Sequence, residues 1–163
     1  MKILLMGFTK LAYMPYMNFY IQQLCDKGHE IHILCWQRDN MGDIDKPSGT
    51  RLHSFSSHMD DSLSLHMKIP NFLQYRKFAL SILKKENFDL IVVMHSTPGV
   101  LLADKLLCKY RFRYILDYRD FTYENYRPYK ALISSLVKKS LLTFVSSDAY
   151  RIHLPKLEKI YTS

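Results

Sequence analysis

The sequence predicts an α/β fold, a single Rossmann-like three-layer α/β/α domain with a mainly parallel sheet of six to seven strands. Short apolar runs typical of buried strands alternate with longer segments of helical periodicity along all 163 residues. This alternation is characteristic of parallel sheets whose crossover helices cover both faces. The chain length suits one domain, residues 1–163.

The first half of the chain is predicted to contain three strands, at residues 3–8, 31–36 and 52–55. A helix between the first two strands starts near Pro15, which suits a first helical turn, and ends before Gly28, which suits the position after a helix. Residues 38–50 are rich in Asn, Asp, Gly, Pro and Ser and are predicted to form a loop. In residues 56–68 the apolar residues recur with neither helical nor strand spacing.

The second half alternates in the same way, with strands predicted at residues 89–94, 114–116, 142–145 and 159–161. A helix with one basic face is predicted over residues 71–85. Ser96 or Thr97 is predicted to cap a further helix that continues to about residue 110, with Pro98 in its first turn. Another helix starts at Pro128.

Ionisable residues crowd the end of the fifth predicted strand. Uncompensated charge is costly away from water, so these residues are expected at the carboxyl end of the strand, where open α/β sheets hold their ligands. In an extended strand Asp117 and Arg119 share a face and could pair. Asp120 would point the other way, unless the strand has already ended, and is expected to be free to meet a ligand. The alternative is an ion-paired loop that positions a helix.

In the usual doubly wound order the first and fourth strands are adjacent, so residues 7–16 and 95–99 should line one crevice beside residues 117–124. The first loop, GFTKLAYMPY, has a single glycine and lacks the G-x-G-x-x-G spacing of dinucleotide-binding proteins. The chain also lacks a Walker loop and a G-x-S-x-G elbow.

The crevice would then contain aromatic rings, carboxylates and one histidine. His95 is predicted to be a hydrogen-bond partner or base, or else a turn residue bonded to local backbone. Five tyrosines could stack on sugar rings and donate hydroxyls, or could pack helices: Tyr13, Tyr16, Tyr118, Tyr123 and Tyr126.

A formal net charge of +8 favours anionic partners. The basic residues are spread over several helices rather than one face, which disfavours nucleic acid. Lys130, Lys138 and Lys139, with residues 110–113, could rest on anionic lipid headgroups. Three cysteines without short spacing predict neither disulfides nor a zinc site and favour a reducing compartment. Three unevenly spaced histidines do not suggest a metal site: His53, His58 and His66.

The whole chain resembles the N-terminal half of a GT-B glycosyltransferase, of the family 4 kind found in capsule and surface polysaccharide pathways. The resemblance lies in segments that occur in the family's order: KILLMGF, CDKGHEIHIL, FDLIVVMHSTPG, RYILDYRDFTYE and TFVSSDAYRIHL. The family's first loop holds a pair of glycines where this chain has Tyr13 and Met14.

The resemblance implies an enzyme that retains anomeric configuration without a metal. The N-terminal half would hold a glycan or lipid-linked acceptor, and a C-terminal domain, absent from this chain, would bind the nucleotide-sugar donor. No other cofactor is implied, and the location would be cytoplasmic, with peripheral contact at the inner membrane face. The chain alone would then be inactive.

Carried over by residue, Arg119 and Asp120 match the family's Arg-Asp pair and Glu124 its glutamate. Asp120 would bond the attacking hydroxyl, Arg119 would steady a carboxylate or phosphate, and His95 would orient the acceptor. The predicted site has catalytic Asp120 and His95, with acceptor-binding Gly7, Tyr13, Tyr16, Ser96, Arg119 and Glu124. The alternatives are a non-catalytic module that binds a sugar or phosphorylated ligand, and a subunit completed by a separate donor-binding chain.

Overall fold

The computed structural model describes residues 1–38, 46–60 and 62–162. Part of the predicted loop at residues 38–50 therefore lies outside the described residues. The chain divides into two compact units, Met1–Asp89 and Leu90–Ser163.

The first unit consists of β1 (Lys2–Met6), α1 (Tyr16–Cys25), β2 (Glu30–Gln37), β3 (Thr50–Ser56) and α2 (Leu65–Lys85). A 3₁₀ turn, Leu11–Tyr13, precedes α1. β2 pairs in parallel with both β1 and β3. Gly28 has φ 72°, a conformation that glycine adopts without steric cost, and so lets the chain turn from α1 into β2.

Helix α2 begins six residues earlier than predicted, at Leu65 instead of residue 71. The first turns of this helix are exposed or half-buried, so they need no apolar periodicity and left no signal in the sequence. Pro70 lies inside the helix and lacks an N–H group. Because it stands only in the second turn, it removes a single bond near an end whose first N–H groups are unpaired in any helix.

The second unit consists of β4 (Leu90–Met94), α3 (Ser96–Leu101), α4 (Ala103–Leu107), β5 (Tyr114–Tyr118), α5 (Arg127–Lys139), β6 (Leu142–Val145), α6 (Asp148–Arg151) and β7 (Ile160–Thr162). Each strand pairs in parallel with the next, and Met94 lies opposite Asp117. Helices α3 and α4 both pack against α5.

The helix predicted to run to about residue 110 is in fact two helices. Leu102 leaves helical geometry (φ −112°, ψ 19°) and its carbonyl accepts bonds from Lys105 and Leu106, which start α4. Leu102 and Leu106 are both fully buried. The apolar pattern therefore continues across the break, which periodicity could not reveal.

The described strands form a seven-stranded parallel sheet with the order β3-β2-β1-β4-β5-β6-β7. All seven predicted strands are present with small shifts at their ends, and the predicted Rossmann-like α/β fold is confirmed. Among the described residues, no helix combines the length and apolar character that crossing a membrane requires.

Candidate functional site

In the second unit, β4 and β5 end side by side. The N–H of His95 donates to the carbonyl of Asp117 at 2.9 Å and so extends the pairing one residue beyond β4. The segments that follow the two strands, residues 95–97 and 119–122, are therefore held next to each other. This is the carboxyl edge of a parallel sheet, as the charged sequence after β5 predicted.

Asp117 and Arg119 form the ion pair that strand parity predicted. Arg119 Nε donates to Asp117 Oδ2 at 3.0 Å, and the Asp117 side chain is fully buried while that of Arg119 is 22% exposed. A buried carboxylate needs such a partner, because removing one member of a buried pair costs about 3–5 kcal/mol. Arg119 is thus partly committed to a structural contact.

Asp120 is not free, contrary to expectation. Its Oδ1 accepts hydrogen bonds from the backbone N–H of Ser96 at 3.2 Å and from Ser96 Oγ at 3.4 Å, and its Oδ2 accepts one from Thr122 Oγ1 at 2.6 Å. Asp120 thereby bonds the first N–H group of α3. The predicted capping by Ser96 or Thr97 is wrong, because His95 occupies the cap position without a side-chain bond.

Tyr129 completes a cluster of hydroxyls around Ser96. Its hydroxyl donates to Ser96 Oγ at 2.8 Å and lies 3.3 Å from Thr97 Oγ1. Burial is the main reason that the pKa of Tyr129 lies well above its usual value, so the Tyr129 hydroxyl stays protonated and can donate. Sequence reasoning missed Tyr129, although its place in the first turn of the helix after Asp120 was an available signal.

Glu124 lies inside the second unit rather than on its surface. It is 5% exposed, and its Oε1 accepts a hydrogen bond from Tyr118 at 2.7 Å. Its Oε2 is buried without a hydrogen-bond partner among the described residues. Burial first, and then Glu124, raise the pKa of Tyr118 far above its usual range. Tyr118 is fully buried and packs edge-on against Tyr150, so of its two predicted roles the structure supports packing and not stacking on a sugar ring.

His95 has an unusual backbone conformation, with φ 77° and ψ 160°. Residues other than glycine are rarely found there, and such a conformation costs about 1–3 kcal/mol. Strain of this kind clusters at functional sites. His95 is half-buried and immediately precedes Ser96, so the strained residue adjoins the hydroxyl cluster.

The other predicted site residues belong to the first unit. Gly7 uses both backbone groups: its N–H donates to Leu34 at 2.8 Å and its carbonyl accepts from Tyr75 at 2.6 Å. Tyr13 is 66% exposed and Tyr16 is half-buried at the start of α1. Acceptor binding at these residues stays a prediction, as does the crevice expected to join them to residues 95–99.

Two tyrosines of the second unit that were predicted as stacking rings differ in exposure. Tyr123 packs against Tyr129 with ring centroids 5.6 Å apart, the outcome expected for a packing aromatic. Tyr126 is 58% exposed and can present a face to a ligand.

A hollow of about 490 Å³ lies elsewhere in the second unit, where Arg151, Lys156, Glu158 and Ile160 are among the lining residues. No predicted site residue lines it. We assign the candidate site to the cluster around Ser96, because the Asp120 carboxylate, several hydroxyls and backbone strain converge there. The described residues contain no group of three side chains suited to hold a metal ion.

The comparisons with known proteins concern the fold. No family model and no curated protein matches the chain. Among solved structures, the crystal structure of Arabidopsis thaliana UGT89C1 complexed with UDP, a GT-B glycosyltransferase, matches 99% of this chain with a TM-score of 0.58 and 12% sequence identity. The fold of this chain is therefore similar to part of that GT-B glycosyltransferase. It spans 52% of that protein, about half its length, and the likeness at this identity establishes the fold alone.

Proposed function

We propose that this chain is the acceptor-binding part of a glycosyltransferase, which transfers a sugar from a nucleotide-sugar donor to a glycan, polysaccharide or lipid-linked acceptor. The observation that carries the proposal is the cluster of Ser96, Thr97, Asp120, Thr122 and Tyr129 at two strand ends of a GT-B fold. Sugars are recognised through hydroxyl groups, which both donate and accept hydrogen bonds. The cluster offers one carboxylate, that of the half-buried Asp120, and the exposed hydroxyl of Thr122, while the buried hydroxyls of Ser96 and Thr97 lie behind them.

The arrangement gives each residue a distinct role. Asp120 accepts the hydrogen bond of the attacking acceptor hydroxyl, while Ser96 and Thr122 hold its carboxylate in position. The reaction forms a bond from this hydroxyl oxygen to the anomeric carbon and breaks the bond from that carbon to the nucleotide phosphate, which leaves with the nucleotide, while the hydroxyl proton passes to the Asp120 carboxylate. Arg119, fixed by Asp117, faces an acceptor phosphate or carboxylate. His95 orients the acceptor.

In this proposal, the buried hydrogen bond between Glu124 and Tyr118 holds the segment of residues 119–122 in place. The sequence resemblance supports a retaining enzyme of the family 4 type that works in surface polysaccharide synthesis. It also supports a donor-binding domain as the functional partner of this chain.

The decisive test is Asp120→Asn in an active enzyme that contains this chain. Positioned proton transfer typically contributes about 10²–10⁴-fold to a rate, so turnover with a nucleotide-sugar and a glycan acceptor should fall by that order. The matched control is Asp104→Asn on the exposed surface of α4, which makes the same chemical change.

Normal turnover by Asp120→Asn would remove Asp120 from the mechanism. Binding of glycans by this chain, without transfer in any donor-supplied preparation, would instead favour the non-catalytic sugar-binding module.

A further inference from the structure

In the second unit, the amino ends of the strands carry a surface that the proposed site does not use. Phe112 precedes β5, Lys139 and Leu141 precede β6, and Lys159 precedes β7. Because β5, β6 and β7 are parallel, these residues gather at the amino ends of the strands. Together with Arg111 they form what we call the Phe112 patch.

Three cations surround one exposed ring in this patch. The guanidinium carbon of Arg111 lies 4.9 Å from the centroid of the Phe112 ring, Lys159 Nζ 5.6 Å and Lys139 Nζ 5.9 Å. Phe112 is 47% exposed and Leu141 is 46% exposed, so two large apolar side chains accompany the charges at the surface.

The position of Phe112 is fixed by backbone. Its φ is 59°, a left-handed conformation that is uncommon for a bulky residue, and its N–H donates to the carbonyl of Lys139 at 2.9 Å. The N–H of Leu141 donates to the carbonyl of Tyr114. Residues 112–114 and 139–141 are thereby tied together, and the apolar tip and the cations form one surface.

Among the residues that the structure describes, no carboxylate pairs with the charges of the patch, which are those of Arg111, Lys139 and Lys159. Burial, and then the charge of Lys139, lower the pKa of Lys159. Like charges held close together without an anion favour an anionic partner.

We propose that the Phe112 patch binds an anionic membrane surface, with Phe112 and Leu141 entering the interface and the three cations lying at the headgroup phosphates. Exposed apolar side chains ringed by cations are typical of surfaces that lie in a membrane interface. A single-stranded nucleic acid would instead need several exposed rings along a basic groove. The patch includes Lys139 but not Lys130, which stands near the other end of α5.

The patch and the proposed acceptor site lie beyond opposite ends of β5, whose five residues span about 16 Å. If the proposed function holds, the bound protein therefore reaches an acceptor sugar that projects from the membrane, rather than one beside the headgroup. The patch itself does not depend on that function.

The test is cosedimentation of the full chain with vesicles of phosphatidylcholine, and with vesicles that also contain about 30% phosphatidylglycerol, at low and high salt. Binding is expected only to the anionic vesicles and should fall at high salt. The double variant Arg111→Gln/Lys139→Gln should bind about 25-fold more weakly, since each basic residue near such a surface contributes about fivefold.

The control variant Arg127→Gln/Lys130→Gln removes the same charge from the exposed first turn of α5, more than about 13 Å along the helix from Lys139, and should change binding by less than about twofold. Phe112→Asn keeps the charge, suits the left-handed backbone and should also weaken binding. Circular dichroism of each variant checks that the fold is intact. Lys159 is not substituted, because its Nζ also donates to the carbonyls of Lys138 and Ser140.

Three results would overturn the proposal: no binding to anionic vesicles, equal losses in the two double variants, or binding of labelled single-stranded RNA in place of vesicles through the same residues. No transfer reaction is measured, so this failure is distinct from failure of the proposed function.

Discussion

The carboxyl ends of β1 and β2 and those of β4 and β5 occupy equivalent places in their units, yet they carry opposite kinds of side chains. The first unit places packed aromatic rings there, which we call the aromatic cluster: Phe8, Trp36, Phe55, Phe72 and Tyr75. The second unit places the polar cluster there: Ser96, Thr97, Asp120, Thr122 and Tyr129.

The two clusters also differ in whether their buried polar groups have hydrogen-bond partners and whether the backbone beside them is relaxed. In the aromatic cluster, Trp36 stacks on Tyr75 with centroids 5.6 Å apart, and both are fully buried. The Tyr75 hydroxyl and the Trp36 indole N–H each have a hydrogen-bond acceptor. Beside the polar cluster, His95 is strained, and one oxygen of Glu124 is buried with no hydrogen-bond partner in the described part of the chain. Backbone strain and unpaired buried oxygens are expected at sites where function, rather than stability, determines which residues are present.

The largest effect on stability is expected from Trp36→Ala, which opens the centre of the aromatic cluster. Loss of a buried aromatic side chain typically lowers the free energy of unfolding by about 3–5 kcal/mol. Urea unfolding followed by circular dichroism measures it. The control is Phe19→Ala on α1, a ring that is 67% exposed, with a change within about 0.5 kcal/mol. A loss below about 1 kcal/mol for Trp36→Ala would show that the cluster is not a core.

A matched pair of substitutions compares the clusters by removing one hydroxyl from each. Tyr75→Phe leaves the buried carbonyl of Gly7 without its donor and should lower the free energy of unfolding by about 1–2 kcal/mol, with acceptor binding unchanged. Tyr129→Phe should weaken acceptor binding, with a smaller loss of stability, because Ser96 keeps its bond to Asp120.

Urea unfolding and glycan binding, measured on both variants, give the comparison. The same pattern in both would contradict the division between a stabilising cluster and a binding cluster.

His95→Gly tests whether strain near the polar cluster serves function. Glycine adopts φ 77° freely, so relief of strain should raise the free energy of unfolding by about 1 kcal/mol, after its greater chain entropy is subtracted. Transfer should fall, because the imidazole is lost. His95→Ala is the control, since it loses the imidazole and keeps the strain. A destabilised His95→Gly protein would show that the backbone here is not strained.

The smallest expected effect is a dependence of the stability of the first unit on pH. His32 Nδ1 and His53 Nε2 lie 2.9 Å apart, and burial, followed by the charge of His32, lowers the pKa of His53 below its ordinary 6.5. Glu86 opposes this shift and Arg51 adds to it; Glu30 bonds His32. The unfolded chain then binds the proton more readily, so stability should fall as pH drops below about 6.5.

Hydrogen exchange of β2 and β3 amides between pH 7 and 5 follows this change, after correction for intrinsic exchange rates. In His53→Gln, stability should depend less on pH between pH 7 and 5. An unchanged slope in this variant would show that other groups cause the pH dependence.

Much of the fold followed from sequence because apolar runs and helical periodicity report burial directly. The Asp117–Arg119 pair was also predictable, since strand parity alone placed both residues on one face. The bonds of Asp120 to Ser96 were not, because the sequence predicted residues 95–99 beside residues 117–124, but which of their atoms meet depends on strand register. The His32–His53 pair was missed for the same reason: His32 and His53 lie on different strands.

Amide chemical shifts of the 163-residue chain, recorded on addition of a glycan that a glycan array identifies as a ligand, locate the acceptor site. We expect the largest changes in the polar cluster, at Ser96, Thr97, Asp120, Thr122 and Tyr129, and we expect Asp120→Asn to abolish them. Changes confined to the aromatic cluster, the Phe112 patch or the hollow beside Arg151 would contradict the assignment of the polar cluster as the acceptor site.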